Sequence, residues 1–257
     1  MMLNFSELKD FLDEKADIYN NVEFIQDDPV QIPHRFTLKQ DIEIAGFLAA
    51  TISWGNRKAI IKSADKMLEI MGNSPYDFVL NHSDSDLNVI KDKSIHRTFN
   101  GDDFGYFISR FKEIYTESES LEDLFLVYEN ETNFLHSIER FRQKFLGVEK
   151  HRTHKHVSSP YKNSSSKRII MFLRWMTRKD NRGVDLGIWQ NIDQKHLSIP
   201  LDVHTGNISR KLGLVKRTQN DWKTVEELDV AIRNFDDNDP AKYDFALFGL
   251  GVTKELF

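Results

Sequence analysis

Cysteine is absent from this sequence of 257 residues, and its absence excludes several kinds of site. The chain can form no disulfide, no thiolate zinc site and no cysteine-ligated iron–sulfur cluster. No carboxylate completes a metal-binding spacing with the clustered histidines, so we expect no metal and no cofactor. A chain without cysteine suits a reducing compartment, and we expect a bacterial cytoplasmic protein.

Long apolar stretches are missing as well. No run of about 18 or more apolar residues occurs, so we expect no membrane-spanning helix and no membrane partner. Residues 1–11 are mixed in charge and lack the apolar stretch of a signal peptide. With 40% hydrophobic and 29% charged residues, the composition is that of a folded globular protein and not of a disordered one.

Strand-type alternation is also scarce, whereas helical spacing of apolar residues recurs along most of the chain. This spacing predicts helices over residues 44–52, 60–72, 104–115, 121–128, 134–147, 169–176, 202–213 and 225–232. The stretch from Gly147 to Ser166 is loop-like: it is basic, rich in histidine and then in serine, and it lacks apolar periodicity. We therefore predict an all-α protein with an N-terminal helical array (1–147), a basic linker rich in histidine and serine (148–166) and a C-terminal helical lobe (167–257).

The chain lacks a net positive charge, but its positive residues are concentrated in one segment. The net charge is −5, yet residues 140–182 contain 13 Lys and Arg against two acidic residues, Glu149 and Asp180. The segment therefore carries +11, which leaves −16 for the rest. A local field of this size attracts phosphates even on an acidic protein. The alternative is a basic face that contacts an acidic face of the same molecule.

Two short motifs contain residue types suited to chemistry on a sugar. Lys167 precedes Phe172-Leu173-Arg174 on a predicted helix, and Asp202-Val203-His204 opens a helix that ends in Arg210-Lys211-Leu212-Gly213-Leu214. An amine can attack an anomeric carbon, and a carboxylate can stabilise a sugar that becomes oxocarbenium-like. Backbone N–H groups at a helix start would stabilise the charge of the aspartate. The ordinary alternatives are a helix cap for Asp202 and a solvated lysine for Lys167.

These motifs resemble those of the helix–hairpin–helix DNA glycosylase superfamily, and Lys167 with Phe172-Leu173-Arg174 is most similar to its 8-oxoguanine branch. The resemblance implies a two-lobed, all-α glycosylase-like fold, with Lys167 as the lyase nucleophile and Asp202 as the catalytic carboxylate. Residues 48–59 are similar to the superfamily's N-terminal helix pair. Nearly the whole chain closely resembles uncharacterised bacterial proteins known as domain of unknown function number 2400.

The resemblance implies base excision on damaged DNA, by an N-glycosylase with or without β-lyase activity, and a DNA or RNA partner. In this interpretation His204 would orient the site. The expected nucleic-acid contacts are Lys162, Arg168, Arg174, Arg210 and Lys211. The expected base pocket consists of Trp54, Asn56 and Arg57. Two alternatives use the same sequence: a catalytically inactive nucleic-acid-binding module, and a protein-interaction domain whose basic segment meets an acidic partner.

Three further features have ordinary interpretations beside functional ones. The hairpin segment Asn163–Ser166 has no glycine, whereas the superfamily uses glycines there to let backbone N–H groups approach phosphate. His151, His154 and His156 form a flexible basic loop that touches phosphate or solvent, with metal binding as the alternative. Phe248-Gly249-Leu250-Gly251 is a pair of glycines after a helix, without the context of a nucleotide-binding loop.

Overall fold

Helices dominate residues 3–255, the part of the chain that the computed structural model describes. The α-helices here are α1 (Phe5–Tyr19), α2 (Lys39–Thr51), α3 (Arg57–Ile70), α4 (Pro75–Asn81), α5 (Asp84–Asn88), α6 (Gly101–Glu117), α7 (Leu135–Leu146), α8 (Lys167–Thr177), α9 (Val203–Lys211), α10 (Trp222–Arg233) and α11 (Tyr243–Thr253). Two short antiparallel strands, β1 (Ser94–His96) and β2 (Phe99–Asn100), lie before α6. The prediction of a mainly helical protein is confirmed. Within residues 3–255, every helix is too short or too polar to cross a bilayer.

Polar side chains fix the starts of several helices. Asn4 and Asn100 each form a capping box, in which the asparagine accepts from a backbone N–H three residues on and a carboxylate there accepts from the asparagine N–H. Asn56, Asp202 and Asp221 cap α3, α9 and α10 with single side-chain hydrogen bonds. These caps satisfy N–H groups that have no partner inside the helix, which is why the helices begin at these residues.

The helix predicted over 121–128 is instead a short 3-10 turn at Leu121–Leu124. The Ser120 hydroxyl accepts from Glu122 N at 3.1 Å, and the buried Glu43 carboxylate accepts from Leu121 N at 3.0 Å. Both N–H groups are thus bonded to side chains, which holds a tight turn without a longer helix.

The described residues divide into two compact units that are discontinuous in sequence. Unit 1 consists of residues 3–24, 127–136 and 159–255, and unit 2 consists of residues 25–126 and 137–158. This differs from the predicted division into three consecutive segments. The reason is that α1 packs along α11, at the far end of the sequence, so both helices belong to unit 1.

Helix α11 is the buried centre of unit 1, and its two glycines allow close packing. A Cβ at Gly249 would lie 2.2 Å from the Tyr19 ring, and a Cβ at Gly251 would lie 2.8 Å from the Cβ of His204. Tyr19 in α1 and His204 in α9 therefore lie directly on the backbone of α11. The prediction that these glycines follow a helix is wrong, since they lie inside one and serve helix packing.

Aromatic side chains form the core of unit 2. The Phe47 ring in α2 lies 5.3–5.9 Å from the rings of four other phenylalanines, Phe107 and Phe111 in α6 and Phe141 and Phe145 in α7. All five side chains are at most 2% exposed. Buried aromatic rings at these distances contribute packing energy beyond their area alone, so this cluster joins the three helices.

Asp229 in α10 gives unit 1 a pH-dependent stability. Its carboxylate is buried and accepts from Ser198 Oγ at 2.6 Å and Asn133 Nδ2 at 3.2 Å. Burial raises the pKa of Asp229 from 3.8 to about 6, although these hydrogen bonds lower it. The raised value means that the folded state binds this proton more tightly than the unfolded state. Asp229 therefore destabilises the fold progressively as pH rises from about 4 to above 6.

Asp229→Asn should remove this penalty. The advantage of the variant in free energy of unfolding should grow by about 2 kcal/mol between pH 4 and pH 7.5, at 1.36 kcal/mol per unit of pKa difference between the folded and unfolded states. Urea denaturation at the two pH values measures it. Asp237→Asn is the control, because the Asp237 side chain is 75% exposed. An advantage of Asp229→Asn that is equal at both pH values would contradict the prediction.

Candidate active site at the starts of helices α8 and α9

Lys167 and Asp202, which are 35 residues apart in sequence, lie together in unit 1. Lys167 Nζ is 3.8 Å from Asp202 Oδ2, and the two side chains are 30% and 18% exposed. Lys167 is the first residue of α8, and Asp202 caps the start of α9. An amine and a carboxylate thus meet at two adjacent helix starts, where solvent reaches both groups.

The segment that leads into Lys167 turns without glycine. Asn163 and Ser166 adopt left-handed backbone conformations, with φ of 59° and 47°. Asparagine tolerates this conformation comparatively well, whereas serine does so rarely. Ser166 is buried, and its N–H donates to Ser164 Oγ at 3.2 Å. The missing glycines are therefore replaced by local side-chain hydrogen bonds, which the sequence analysis did not predict.

Asp221 anchors this turn from the start of α10. Its carboxylate accepts from Asn163 Nδ2 at 2.9 Å and from Arg217 Nη2 at 2.6 Å. Partial burial raises the pKa of Asp221, but these bonds and those from Thr224 outweigh it and lower the pKa to about 2. The anchor is therefore ionised at any physiological pH and holds the chain that leads into Lys167.

Asp202 is held by its own helix and by the loop after α9. Its Oδ1 accepts from Thr205 N at 2.9 Å, and its backbone oxygen accepts from Asn220 Nδ2 at 2.9 Å. Arg210 in turn donates to Asn220 Oδ1 at 2.6 Å and to the backbone oxygens of Arg217 and Gln219. Arg210 is half-exposed and its guanidinium fixes this loop, and the predicted contact of Arg210 with nucleic acid stays a prediction.

Arg174 departs from the predicted nucleic-acid contacts. It is 4% exposed, and its guanidinium donates to Asp185 Oδ1 at 3.1 Å and to Asp244 Oδ2. It also lies over the Phe245 ring, 4.5 Å from the centroid. The prediction that Arg174 contacts phosphate is wrong, because this side chain is buried and bonded inside unit 1.

Three other predicted contacts remain at or near the surface. Lys162 is exposed at the end of a 3-10 turn before Asn163, and Lys211 is exposed at the end of α9. Arg168 is half-buried beside Lys167, and desolvation lowers its pKa to about 10. Lys162 and Lys211 therefore offer the most accessible cations among the predicted nucleic-acid contacts.

Much of the +11 segment is neutralised inside the molecule. At least seven of its thirteen cations form ion pairs with carboxylates: Arg142, Lys144, Arg152, Lys167, Arg174, Arg178 and Arg182. The alternative interpretation of a basic segment that contacts acidic groups of the same protein therefore holds for more than half of it.

His204 lies beside Asp202 in sequence but faces α11. Its ring contacts Phe248 edge-on, with centroids 6.2 Å apart, and its Cβ lies against Gly251. In the described residues its imidazole forms no hydrogen bond with Asp202. The predicted orienting role through the imidazole is thus not observed, and His204 instead attaches the start of α9 to α11.

The predicted base pocket of Trp54, Asn56 and Arg57 belongs to unit 2, and its members have structural contacts there. The Trp54 ring packs against His96, with centroids 5.1 Å apart, and stacks with His156 at 5.9 Å. Asn56 Oδ1 accepts from Ala59 N at 3.2 Å and caps α3, whose first residue is Arg57. Trp54 and Asn56 therefore pack and cap, in agreement with a simple helix end that carries a packed tryptophan.

The histidine loop is ordered by contacts within unit 2. The His151 ring stacks on Tyr106 at 4.4 Å, His154 Nε2 lies 3.2 Å from Leu146 O, and His156 Nε2 lies 3.2 Å from Asp103 Oδ2. Desolvation lowers the pKa of His154. Across residues 3–255, His, Asp and Glu side chains do not gather in threes around a metal position. The prediction of a flexible loop is wrong, because these rings are packed.

Buried charges behind the site were missed by the sequence analysis. Arg178 is 3% exposed and pairs with Asp180, Asp185 and Asp239, and Asp244 is 6% exposed. The apolar stripe of α8 consists of Ile169, Phe172, Leu173 and Met176. Arg174 lies on the other side of the helix, and Arg178 follows its last residue, so the helical spacing gave no signal of these buried ion pairs.

The fold and the site together define a mainly helical protein with a lysine–aspartate pair at two helix starts. The chain belongs to the family described as protein of unknown function (DUF2400), whose model matches residues 28–253. This match includes both Lys167 and Asp202. No curated protein and no solved structure matches the chain.

Proposed function

We propose that this protein excises damaged bases from DNA as an N-glycosylase with β-lyase activity. The observation that carries the proposal is the 3.8 Å separation of Lys167 Nζ and Asp202 Oδ2. Each residue was selected from a separate motif that resembles a different catalytic element of the helix–hairpin–helix glycosylases. A separation of 35 residues does not by itself bring two side chains together. That Lys167 and Asp202 nevertheless lie side by side at accessible helix starts supports a shared chemical role.

The pair supplies the two groups that the reaction requires. After losing a proton to solvent, the Lys167 amine forms a bond to the sugar C1′, and the electrons of the glycosidic bond leave with the base, which takes up a proton. Asp202 stabilises the positive charge that develops on the sugar. Opening of the sugar ring then gives an iminium ion on Lys167. Loss of a C2′ proton to solvent forms a C2′–C3′ double bond, and the C3′–O bond breaks so that the phosphate leaves with its electrons.

Borohydride trapping tests this proposal, because hydride reduces the iminium ion to a stable amine. The full-length protein is incubated with duplex DNA that carries an abasic site or 8-oxoguanine, with sodium borohydride present. We expect a covalent protein–DNA adduct whose modified peptide contains Lys167. An adduct on another lysine would show that Lys167 is not the nucleophile. A complete lack of adduct on both substrates would overturn the lyase assignment.

Binding to DNA should depend on salt through the exposed lysines near the site. If Lys162 and Lys211 each neutralise one phosphate, the affinity for duplex DNA should fall about tenfold between 50 and 200 mM salt. Reversing both charges (Lys162→Glu with Lys211→Glu) should flatten this slope, because counterions are no longer released at those positions. Fluorescence anisotropy with a labelled duplex measures both effects.

Lys254→Glu is the control for each single substitution, Lys162→Glu or Lys211→Glu, because Lys254 is exposed just after α11 and its replacement changes the charge by the same amount. It should leave the slope unchanged. The alternatives give different results in the same assays. Salt-dependent binding without a trapped adduct indicates an inactive nucleic-acid-binding module, whereas the lack of DNA binding at 50 mM salt favours a protein-interaction domain.

A further inference from the structure

Asp244, in the first turn of α11, belongs to a buried charge network behind the candidate site. Its Oδ2 accepts from Arg174 Nη1, and Arg174 Nε donates to Asp185 Oδ1 at 3.1 Å. Arg178 donates to the same Asp185 at 3.2 Å, and also to Asp180 and Asp239. Two guanidinium groups therefore serve four carboxylates, so the network has an excess of negative charge when all four are ionised.

Burial makes this excess costly, and the carboxyl groups respond to it. Desolvation raises the pKa of Asp244 to about 6, although Arg174 lowers it. Desolvation likewise raises the pKa of Asp185, which both arginines oppose. Asp244 therefore changes from mostly protonated to mostly ionised between about pH 5 and pH 7, while Arg174 stays charged.

The same network reaches the Lys167–Asp202 pair. Lys167 and Arg174 are seven residues apart on α8, which is about two turns, so they lie on one face of the helix. Besides Arg174 and Asp185, the charged groups that act on Asp244 are Asp202, at the start of α9, and Lys167. Asp202 opposes the ionisation of Asp244, and Lys167 favours it.

We propose that Asp244 is a positioning residue for the Lys167–Asp202 pair, and that its ionised carboxylate supports the positive charge which forms on the sugar. This inference rests on the proposed function. Asp244 acts through the field of the network and through its bond to Arg174, and it makes no contact with substrate. A negative charge held behind the site favours a cationic transition state over the neutral ground state.

The pH profile of base release tests this role. The ratio of the wild-type single-turnover rate to that of Asp244→Asn should rise about tenfold from pH 5 to pH 8, with a midpoint near pH 6, as one acid group ionises. The proton that Lys167 loses before its attack contributes to the pH dependence of both proteins and cancels in this ratio, which should be close to one at pH 5. Asp229→Asn is the matched control, because Asp229 is a buried aspartate in the same unit with a pKa also raised to about 6. The ratio of the wild-type rate to the Asp229→Asn rate should not change over this range.

A ratio of wild-type to Asp244→Asn rates that stays constant from pH 5 to pH 8 would overturn the positioning role. A second measurement does not use Asp244→Asn and requires no enzymatic activity. The Asp244 carboxyl carbon is titrated by NMR in the wild type and in Asp202→Asn. Because the Asp202 charge raises the pKa of Asp244, its midpoint should fall by several tenths of a pH unit or more in Asp202→Asn, and the Asp229 midpoint should not move.

An unmoved Asp244 midpoint in Asp202→Asn would overturn the coupling directly. The two failures remain distinguishable. If no DNA substrate gives base release or an adduct, the proposed function fails, and the titration alone still decides whether Asp244 and Asp202 are coupled.

Discussion

Lys167→Ala should abolish the borohydride-trapped adduct on DNA that carries an abasic site. Alanine has no amine to attack C1′, and loss of a covalent nucleophile removes the iminium ion completely instead of slowing its formation. The fold should survive this change, because the Lys167 side chain is 30% exposed and its ion pair with Asp202 spans 3.8 Å. The yield of adduct per protein molecule, measured on a denaturing gel, is the result that decides.

The control for this experiment is Lys162→Ala. Lys162 lies five residues earlier and is exposed, so its removal also deletes one positive charge near the site. The adduct should still form with Lys162→Ala, given enough protein to compensate for weaker binding. Trapping that persists at wild-type yield in Lys167→Ala would show that another amine is the nucleophile.

Gly101→Ala should destabilise unit 2 by about 3 kcal/mol or more, the upper range for overpacking of a tight site. Gly101 is the first residue of α6, and its N–H donates to Lys93 O at 2.8 Å. A Cβ there would lie 1.7 Å from Ile90 O and 2.5 Å from Ile90 C. These are backbone atoms, so no side-chain rotation relieves the overlap, and the chain before β1 has to move. The urea midpoint of unfolding measures the loss.

Gly105→Ala in the same helix provides the comparison. The nearest atoms to a Cβ at Gly105 are those of Leu87, at 3.9 Å, which is an ordinary contact. Alanine is favoured over glycine inside a helix by about 1 kcal/mol, so Gly105→Ala should raise the urea midpoint slightly. If both substitutions had the same effect, the close approach of Gly101 to Ile90 would not be the cause.

The sequence predicted elements best where the physical signal is local. The apolar stripes of α2, α3, α6 to α8 and α10 follow a helical period, and these helices are present. Helix α11 was missed because it is apolar on nearly all sides. A helix with apolar residues on nearly all sides shows no distinct apolar stripe in its sequence. Its two glycines also resembled those that end a helix. Only the tertiary contacts of Gly249 with Tyr19 and of Gly251 with His204 explain them.

For the site, the motifs selected Lys167 and Asp202 correctly as neighbours, but they could not assign the surrounding charges. Arg174 and Arg210 have the residue type of phosphate contacts, and their actual partners are 7 to 70 residues away in sequence. Packing between helices decides whether an arginine contacts solvent or a buried carboxylate. Residue type and spacing carry no information about that packing. The network of Asp185 and Asp244 therefore required the structure.

The pairing of α1 with α11 has a consequence for synthesis on the ribosome. Lys15 in α1 and Glu255, just after α11, form an ion pair across 240 positions of the sequence. At 5–20 residues per second, α1 waits roughly 10–50 s before the chain that covers it has been made. During that interval the apolar side of α1 has no partner from α11, so nascent chains are exposed to chaperones and to aggregation until translation has passed this point.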